Sequence, residues 1–256
     1  MSLRTTVLLA ALAGIAGCGS AVPGGGVAVT DGDAGAGAEG GSVSADVPAA
    51  GCRYPGTTTR PDGRTVGGPF VTRVVSFTPG DAAGFGQDRM PDVVMGPPVG
   101  GGDFRGGTDV VSLGRFGEIV VALDDMAITD GEGTDFIVFE NPFEVQGRTP
   151  LTYFEELGEV SVSDDGTTWH TFPCDAHGAR PHTGCAGWNP VYSAPGNTLC
   201  ATDPSVAGGD PFDLHDVGLQ RARYVRIRDL GTQSPIPPTA GFDLDAVAVI
   251  HGASTR

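Results

Sequence analysis

The residues of this sequence with the most chemistry to offer are its carboxylates, 31 aspartates and glutamates in 256 residues. Several fall at the ends of apolar runs, where a folded chain would gather oxygen ligands. Asp130, Glu132 and Asp135 share a glycine-rich stretch, Glu140 and Asn141 close the next apolar run, Asp210 and Asp213 share a loop, and Asp243 and Asp245 flank Leu244. Alternate residues of an extended strand point the same way, so Asp243 and Asp245 share a side. Calcium takes six to eight oxygens from carboxylates, amide side chains and backbone carbonyls. The expected ligand set is Asp135, Glu140, Asn141, Asp210, Asp213, Asp243 and Asp245, with calcium as a structural cofactor tying loops together. The plain alternative is a solvated acidic surface. Paired carboxylates also serve glycoside hydrolysis, but acids are too abundant here for one pair to stand out. There is no Gly-x-Ser-x-Gly elbow, and His170 has no evident partner for serine chemistry.

Cysteines supply the second chemistry. Apart from Cys18 they are Cys52, Cys174, Cys185 and Cys200, an even number that allows two disulfides in three connectivities. Their spacing places at least one bridge within 174–200 and leaves Cys52 to pin the chain's entry to the domain. A rival reading makes Cys174, His177, His182 and Cys185 a zinc site, since thiolate and imidazole suit that ion. The stapled segment carries Trp188, Asn189 and Tyr192. Aromatic rings stack on sugar faces and amides bond hydroxyls, so these residues, with Tyr224 on a later strand, are the candidate ligand-binding set. The alternative is that Trp188 and Tyr192 cover a small core of the segment itself.

The elements that must position these groups follow from composition and punctuation. Glycine contributes 42 residues and proline 20, the formal net charge is −16, and all 15 basic residues are arginines. The acidic balance excludes nucleic acid as a partner, because phosphate binding needs concentrated positive charge. The missing lysine excludes Schiff-base, Walker-type and Ser-x-x-Lys chemistry. Beyond Cys52, short apolar runs alternate with Gly, Pro and Asp clusters, which indicates an all-β sandwich or barrel. The runs predict strands at Val71 to Phe77, Val110 to Leu113, Glu118 to Leu123, Asp135 to Glu140, Glu159 to Ser163, Thr168 to Phe172, Arg223 to Arg228 and Leu244 to His251. Alternation in 118–123 and 159–163 predicts one buried face for each. Phe136 to Phe139 and Ala246 to Ile250 are apolar on both faces and predict central strands. Asp164-Asp165-Gly166 predicts a tight hairpin turn. Residues 174–215 read as a long, disulfide-stapled loop insertion in a single domain spanning 52–252, with 253–256 as a tail.

The first residues read as an export signal, with Arg4 ahead of an apolar stretch from Val7 to Ala16. Ile15-Ala16-Gly17-Cys18 resembles the lipobox of bacterial lipoproteins. That resemblance implies removal of 1–17, lipidation of Cys18 and anchoring to a membrane, the outer membrane where one exists. From Gly19 to about Gly51 the chain is almost entirely small residues and Asp, a composition that predicts a flexible tether.

Two further resemblances give the domain an expected fold. The run Glu159 to Trp169 with its Ser163-Asp164-Asp165-Gly166 turn, the Ala222-Arg223-Tyr224-Val225-Arg226-Ile227 strand and the closing apolar strand before Gly252 resemble discoidin, or coagulation-factor type C, domains. That resemblance implies a galactose-binding-like jelly roll. Val111-Ser112-Leu113-Gly114, Asp135 to Asn141, Asp164-Asp165-Gly166, Gly208 to Leu214 and Gly241 to Val247 together resemble a group of bacterial cell-surface lipoproteins of unassigned activity. The jelly-roll resemblance implies a structural calcium near the final strand. The expected function is non-catalytic binding at the cell surface, of a glycan or other surface ligand. Protein-binding adhesion is the main alternative, and hydrolysis of a glycan the third.

Overall fold

Burial with a period of two explains the centre of the molecule. In the strand Phe136–Phe139, Phe136 and Val138 enter one apolar cluster while Ile137 and Phe139 enter another. Its neighbour Ala246–Val249 divides in the same way, with Val247 and Val249 on one side and Ala246 and Ala248 on the other. Because successive side chains point to opposite faces, a strand apolar at every position must be covered twice. The computed structural model describes residues 51–234 and 236–255, all within one compact unit. The export signal, Cys18 and the tether to residue 50 lie outside the described residues.

The fold is all-β, sandwich-like and almost wholly antiparallel, and no α-helix occurs among the described residues. One layer is a sheet in the order His170–Thr171, Gly158–Ser163, Tyr224–Asp229, Glu118–Ala122, Arg73–Thr78. The facing layer has Phe136–Phe139 at its centre, between Asp210–Phe212 and Ala246–Val249. Ile119, Val121, Val160, Val162, Val225 and Ile227 from the first layer meet Phe136, Phe212 and Val247 from the second in the main core, which Leu244 also enters. The second cluster is closed from outside by Phe70, Val191, Ala201 and Ala207. The stapled segment therefore completes the core over the outer face of the second sheet.

Every predicted strand has a counterpart, with informative differences. The expected 244–251 strand is divided into Asp243–Leu244, paired with Val111–Ser112, and Ala246–Val249, paired with Phe136–Phe139. The break falls at Asp245, whose carboxylate accepts the Val99 N–H at 2.8 Å. The expected alternation in 118–123 and 159–163 gives way to burial on both faces: Val120 and Ala122 are buried like their neighbours, and so are Ser161 and Ser163. Both strands lie inside the sheet. The two serines keep their hydroxyls bonded, Ser161 to Thr171 at 2.9 Å and Ser163 to Asp165 at 3.0 Å. The 164–166 turn is wider than a two-residue hairpin, because pairing resumes only at His170 opposite Val162. Asp165 holds the wider loop by accepting the Thr167 and Thr168 N–H groups, each at 2.7 Å. The supposed insertion contributes Cys185–Ala186 and Asp210–Phe212 as sheet strands. Gly252–Ser254 also pairs, with Met126–Thr129, so ordered strand runs into the expected tail.

The disulfides are Cys52–Cys200, separated by 148 residues, and Cys174–Cys185, separated by 11. The second replaces the zinc reading, because both thiolates that would ligate the ion are consumed in the bridge. In the chain-entropy view a bridge stabilises more when it closes a longer loop. Replacing Cys52 and Cys200 together by serine is expected to cost about 4–5 kcal/mol, and replacing Cys174 and Cys185 about 3 kcal/mol. Urea unfolding of the two double variants would check the size and the order.

Candidate metal centre

Three strand ends converge where the two sheets meet, and each delivers a carboxylate. Glu140 follows Phe136–Phe139, Glu156 lies two residues before Gly158–Ser163, and Asp243 opens Asp243–Leu244. One oxygen of each lies within 4.8 Å of one from the others, and none of the three residues is more than 7% exposed.

The hydrogen bonds around them leave a specific deficit. Glu140 Oε1 accepts the Asp243 N–H at 3.2 Å, and Glu156 Oε1 accepts the Gly241 N–H at 2.9 Å. Gly241 has φ +76°, and a Cβ there would sit 2.5 Å from the Gly114 carbonyl, so glycine is required for the backbone to reach Glu156. Asp243 Oδ1 accepts the buried Ser112 hydroxyl, and Oδ2 accepts Asn141 Nδ2 at 3.2 Å. Asn141 Nδ2 also donates to the Gly107 carbonyl at 2.8 Å. Glu140 Oε2 and Glu156 Oε2 have no partner at all. Among the described residues no arginine or histidine forms an ion pair with any of the three carboxylates.

Electrostatics express the same deficit. Burial, then the charges of Asp243 and Glu156, push the Glu140 carboxyl well above its ordinary range. Burial and the Asp243 charge push Glu156 up to about 8 against the pull of the Gly241 N–H, and burial raises Asp243 to about 6. Taking an unpaired ion out of water costs several kcal/mol, so a cluster of this kind must hold protons or a cation. The donor set is oxygen only, carboxylate and amide, which suits a hard cation such as calcium and not zinc.

Of the residues expected as calcium ligands, the structure brings Glu140, Asn141 and Asp243 together and sends the others elsewhere. Asp135 meets Asp130 and Asp213 in a second acidic group. There Asp135 accepts the Gly131 and Leu214 N–H groups at 2.9 and 2.8 Å and sits 2.9 Å from His251 Nδ1, while Asp213 caps the His215 N–H at 2.9 Å. Asp210 Oδ2 accepts the Gly187 N–H at 2.6 Å and Oδ1 the Asn189 N–H at 3.1 Å, which fixes that loop. Burial nevertheless lifts Asp210 to about 8. Asp245 belongs with Val99. Glu156 was not foreseen: in Glu155-Glu156-Leu157-Gly158 it reads as one of two acids in a loop, and the only signal is its closeness to a strand.

The aromatic candidates are engaged by their own chain. The Arg180 guanidinium lies 3.5 Å from the centre of the Tyr153 ring and 5.7 Å from that of Trp188, and it also pairs with Glu155 at 2.9 Å. Trp188 donates its indole N–H to the Cys185 carbonyl at 3.1 Å. Asn189 Nδ2 donates to the Gly209 carbonyl at 2.6 Å, and the Tyr192 hydroxyl donates to Asp103 at 2.6 Å, which raises the phenol to about 12. Tyr224 lies on the main sheet beside Gly166. No protein-family model matches the chain, and no curated protein matches it either.

The raised carboxyls set a pH dependence with a defined sign. Between the ordinary glutamate value of 4.5 and about 8, the folded state binds more protons at this cluster than the unfolded chain. Without divalent cations the melting temperature is expected to fall as pH rises through that window. Glu156→Gln should flatten the slope and raise the melting temperature at the alkaline end. A profile that rises there in chelator would contradict the cluster's electrostatics.

Proposed function

We propose that this protein is a non-catalytic, calcium-stabilised binding module of the cell surface, built on a galactose-binding-like jelly roll. The observation that carries the calcium reading is the group Glu140, Glu156 and Asp243, buried at the junction of the sheets with two carboxylate oxygens unpartnered. Those two oxygens, with the Asp243 carboxylate and the Asn141 amide, would hold the ion. It would join the end of one sheet's central strand to the segment that leads into the other. Two observations favour binding over hydrolysis. Glu140, Glu156 and Asp243 are buried, so a sugar has no approach to them, and Asp135, Asp210 and Asp245 are occupied in accepting backbone N–H groups.

Location at the surface rests on the Ile15-Ala16-Gly17-Cys18 resemblance and the small-residue tether. Attachment through a lipid on Cys18 is what that resemblance implies, and among the described residues no helix is long and apolar enough to cross a membrane. Glycan or another surface component is the proposed ligand.

A ligand that binds only the folded state stabilises it by about 2.7 kcal/mol at a hundredfold excess over Kd. For a domain of this size that raises the melting temperature by roughly 5–10 °C. Thermal melts in calcium and in chelator should differ by that amount, and Glu140→Gln with Glu156→Gln should abolish the difference. Equal melts in the two conditions would reject the calcium reading.

A further inference from the structure

A cavity of about 750 Å³ opens beside the Cys52–Cys200 bridge, remote in sequence from the acidic cluster, and its walls come from 51–65, 95–99, 109 and 193–197. We propose that this cavity binds an uncharged polyhydroxylated ligand, a short stretch of neutral oligosaccharide. The proposal rests on the binding reading above and gives it a place and a ligand class.

Its volume falls within the span of small-molecule sites, roughly 300–1,000 Å³. The charge of its wall is distinctive. Arg53, Arg64, Asp62 and Asp109 all line it, so the lining carries two charges of each sign, although the chain as a whole carries −16. An anionic ligand would meet the two aspartates and a cation the two arginines, each with partial repulsion. A neutral ligand with hydroxyl groups can use all four, because each hydroxyl both donates and accepts.

These groups are held in place. Arg64 donates to Asp109 Oδ1 at 2.8 Å and to the Asp92 carbonyl at 3.0 Å, and its own N–H is accepted by Asp62 Oδ1 at 3.0 Å. Arg89 donates to the same Asp109 oxygen at 2.7 Å. These hydrogen bonds involve Oδ1 of each aspartate, and each carboxylate has a second oxygen to offer. Beside the charged groups, Tyr54, Met95 and Val99 supply an apolar wall suited to the C–H face of a sugar ring. Tyr54 is fixed by its ring contact with Phe70, centroids 4.8 Å apart, and by accepting the Ala201 N–H at 2.9 Å. The Gly100 N–H bonds the Ser193 carbonyl at 2.9 Å and joins two of the walls. A cavity fixed by a disulfide and wall-to-wall bonds loses little conformational freedom when a ligand enters, which favours affinity.

The test is an array of neutral, uronate-bearing and sulfated oligosaccharides probed with the full chain in calcium, followed by titration calorimetry of the best binder. Thr59 lines the cavity from an exposed position, so Thr59→Trp should block binding without moving the melting temperature. Asp62→Ala should weaken binding about tenfold, the loss of one charge-assisted hydrogen bond. Binding of a neutral glycan that Thr59→Trp removes at constant melting temperature supports the assignment. Glycan binding that survives both cavity variants overturns the cavity while leaving the binding reading in place. Binding confined to uronate or sulfated glycans overturns the ligand class. No binding to any glycan, with the calcium-dependent melt intact, overturns the proposal and leaves the calcium site standing.

Discussion

Mutual repulsion among Glu140, Glu156 and Asp243 is the constraint on which the junction of the two sheets turns. Three acids are buried within 4.8 Å of one another, and among the described residues no arginine forms an ion pair with them. Asp243 has a donor on each oxygen, but Glu140 and Glu156 each have one oxygen without a partner, so the local structure orients the three carboxylates and leaves two oxygens unsatisfied. Two carboxylate oxygens are thereby left for a proton or a cation. The backbone groups that aim the acids lie at the start of strand Asp243–Leu244 and two residues before it, at Asp243 and Gly241, so the junction and that strand are one piece of architecture.

The rest of the molecule follows from covering two faces of one short sheet. Phe136–Phe139 and Ala246–Val249 have no polar face to show to water, and a two-layer sandwich covers only one of their sides. The long segment after Cys174 supplies the other cover through Val191, Ala201 and Ala207, and its last part joins the sheet as Asp210–Phe212. Buried acids outside the junction, Asp210 and Asp245, serve this cover by holding loop N–H groups. Burying a charge for this purpose is costly, and the backbone bonds offset part of that cost.

Strand positions were legible because apolar runs bounded by Gly, Pro and Asp have few other outcomes, and Phe136 to Phe139 announced burial on both faces. Glu140, Asn141 and Asp243 were legible for a related reason: they follow or begin such runs, where a side chain leaves the sheet edge. Glu156 was not, since the turn that returns it to Glu140 is a tertiary event with no local pattern. Asp210 and Asp245 look identical in sequence to the grouped acids, because an acid that caps a loop and an acid that joins a cluster occupy the same kind of position. Short strands such as Met126–Thr129 and Gly252–Ser254 escaped because two to four residues carry too little periodicity. Ser161 and Ser163 misled in the opposite direction, being polar yet buried through bonds across the sheet.

The Cys52–Cys200 bridge has a mechanical meaning. Any pull arriving along the chain from before Cys52 divides there between the backbone and a covalent link to residue 200. The weak Thr57–Thr59 and Thr65–Gly67 hairpin just beyond therefore does not bear that load alone. Force is delivered instead into the segment that covers the second sheet, which leads into strand Asp210–Phe212. Pulled from its N-terminal side, the domain would thus resist being peeled open from its first hairpin.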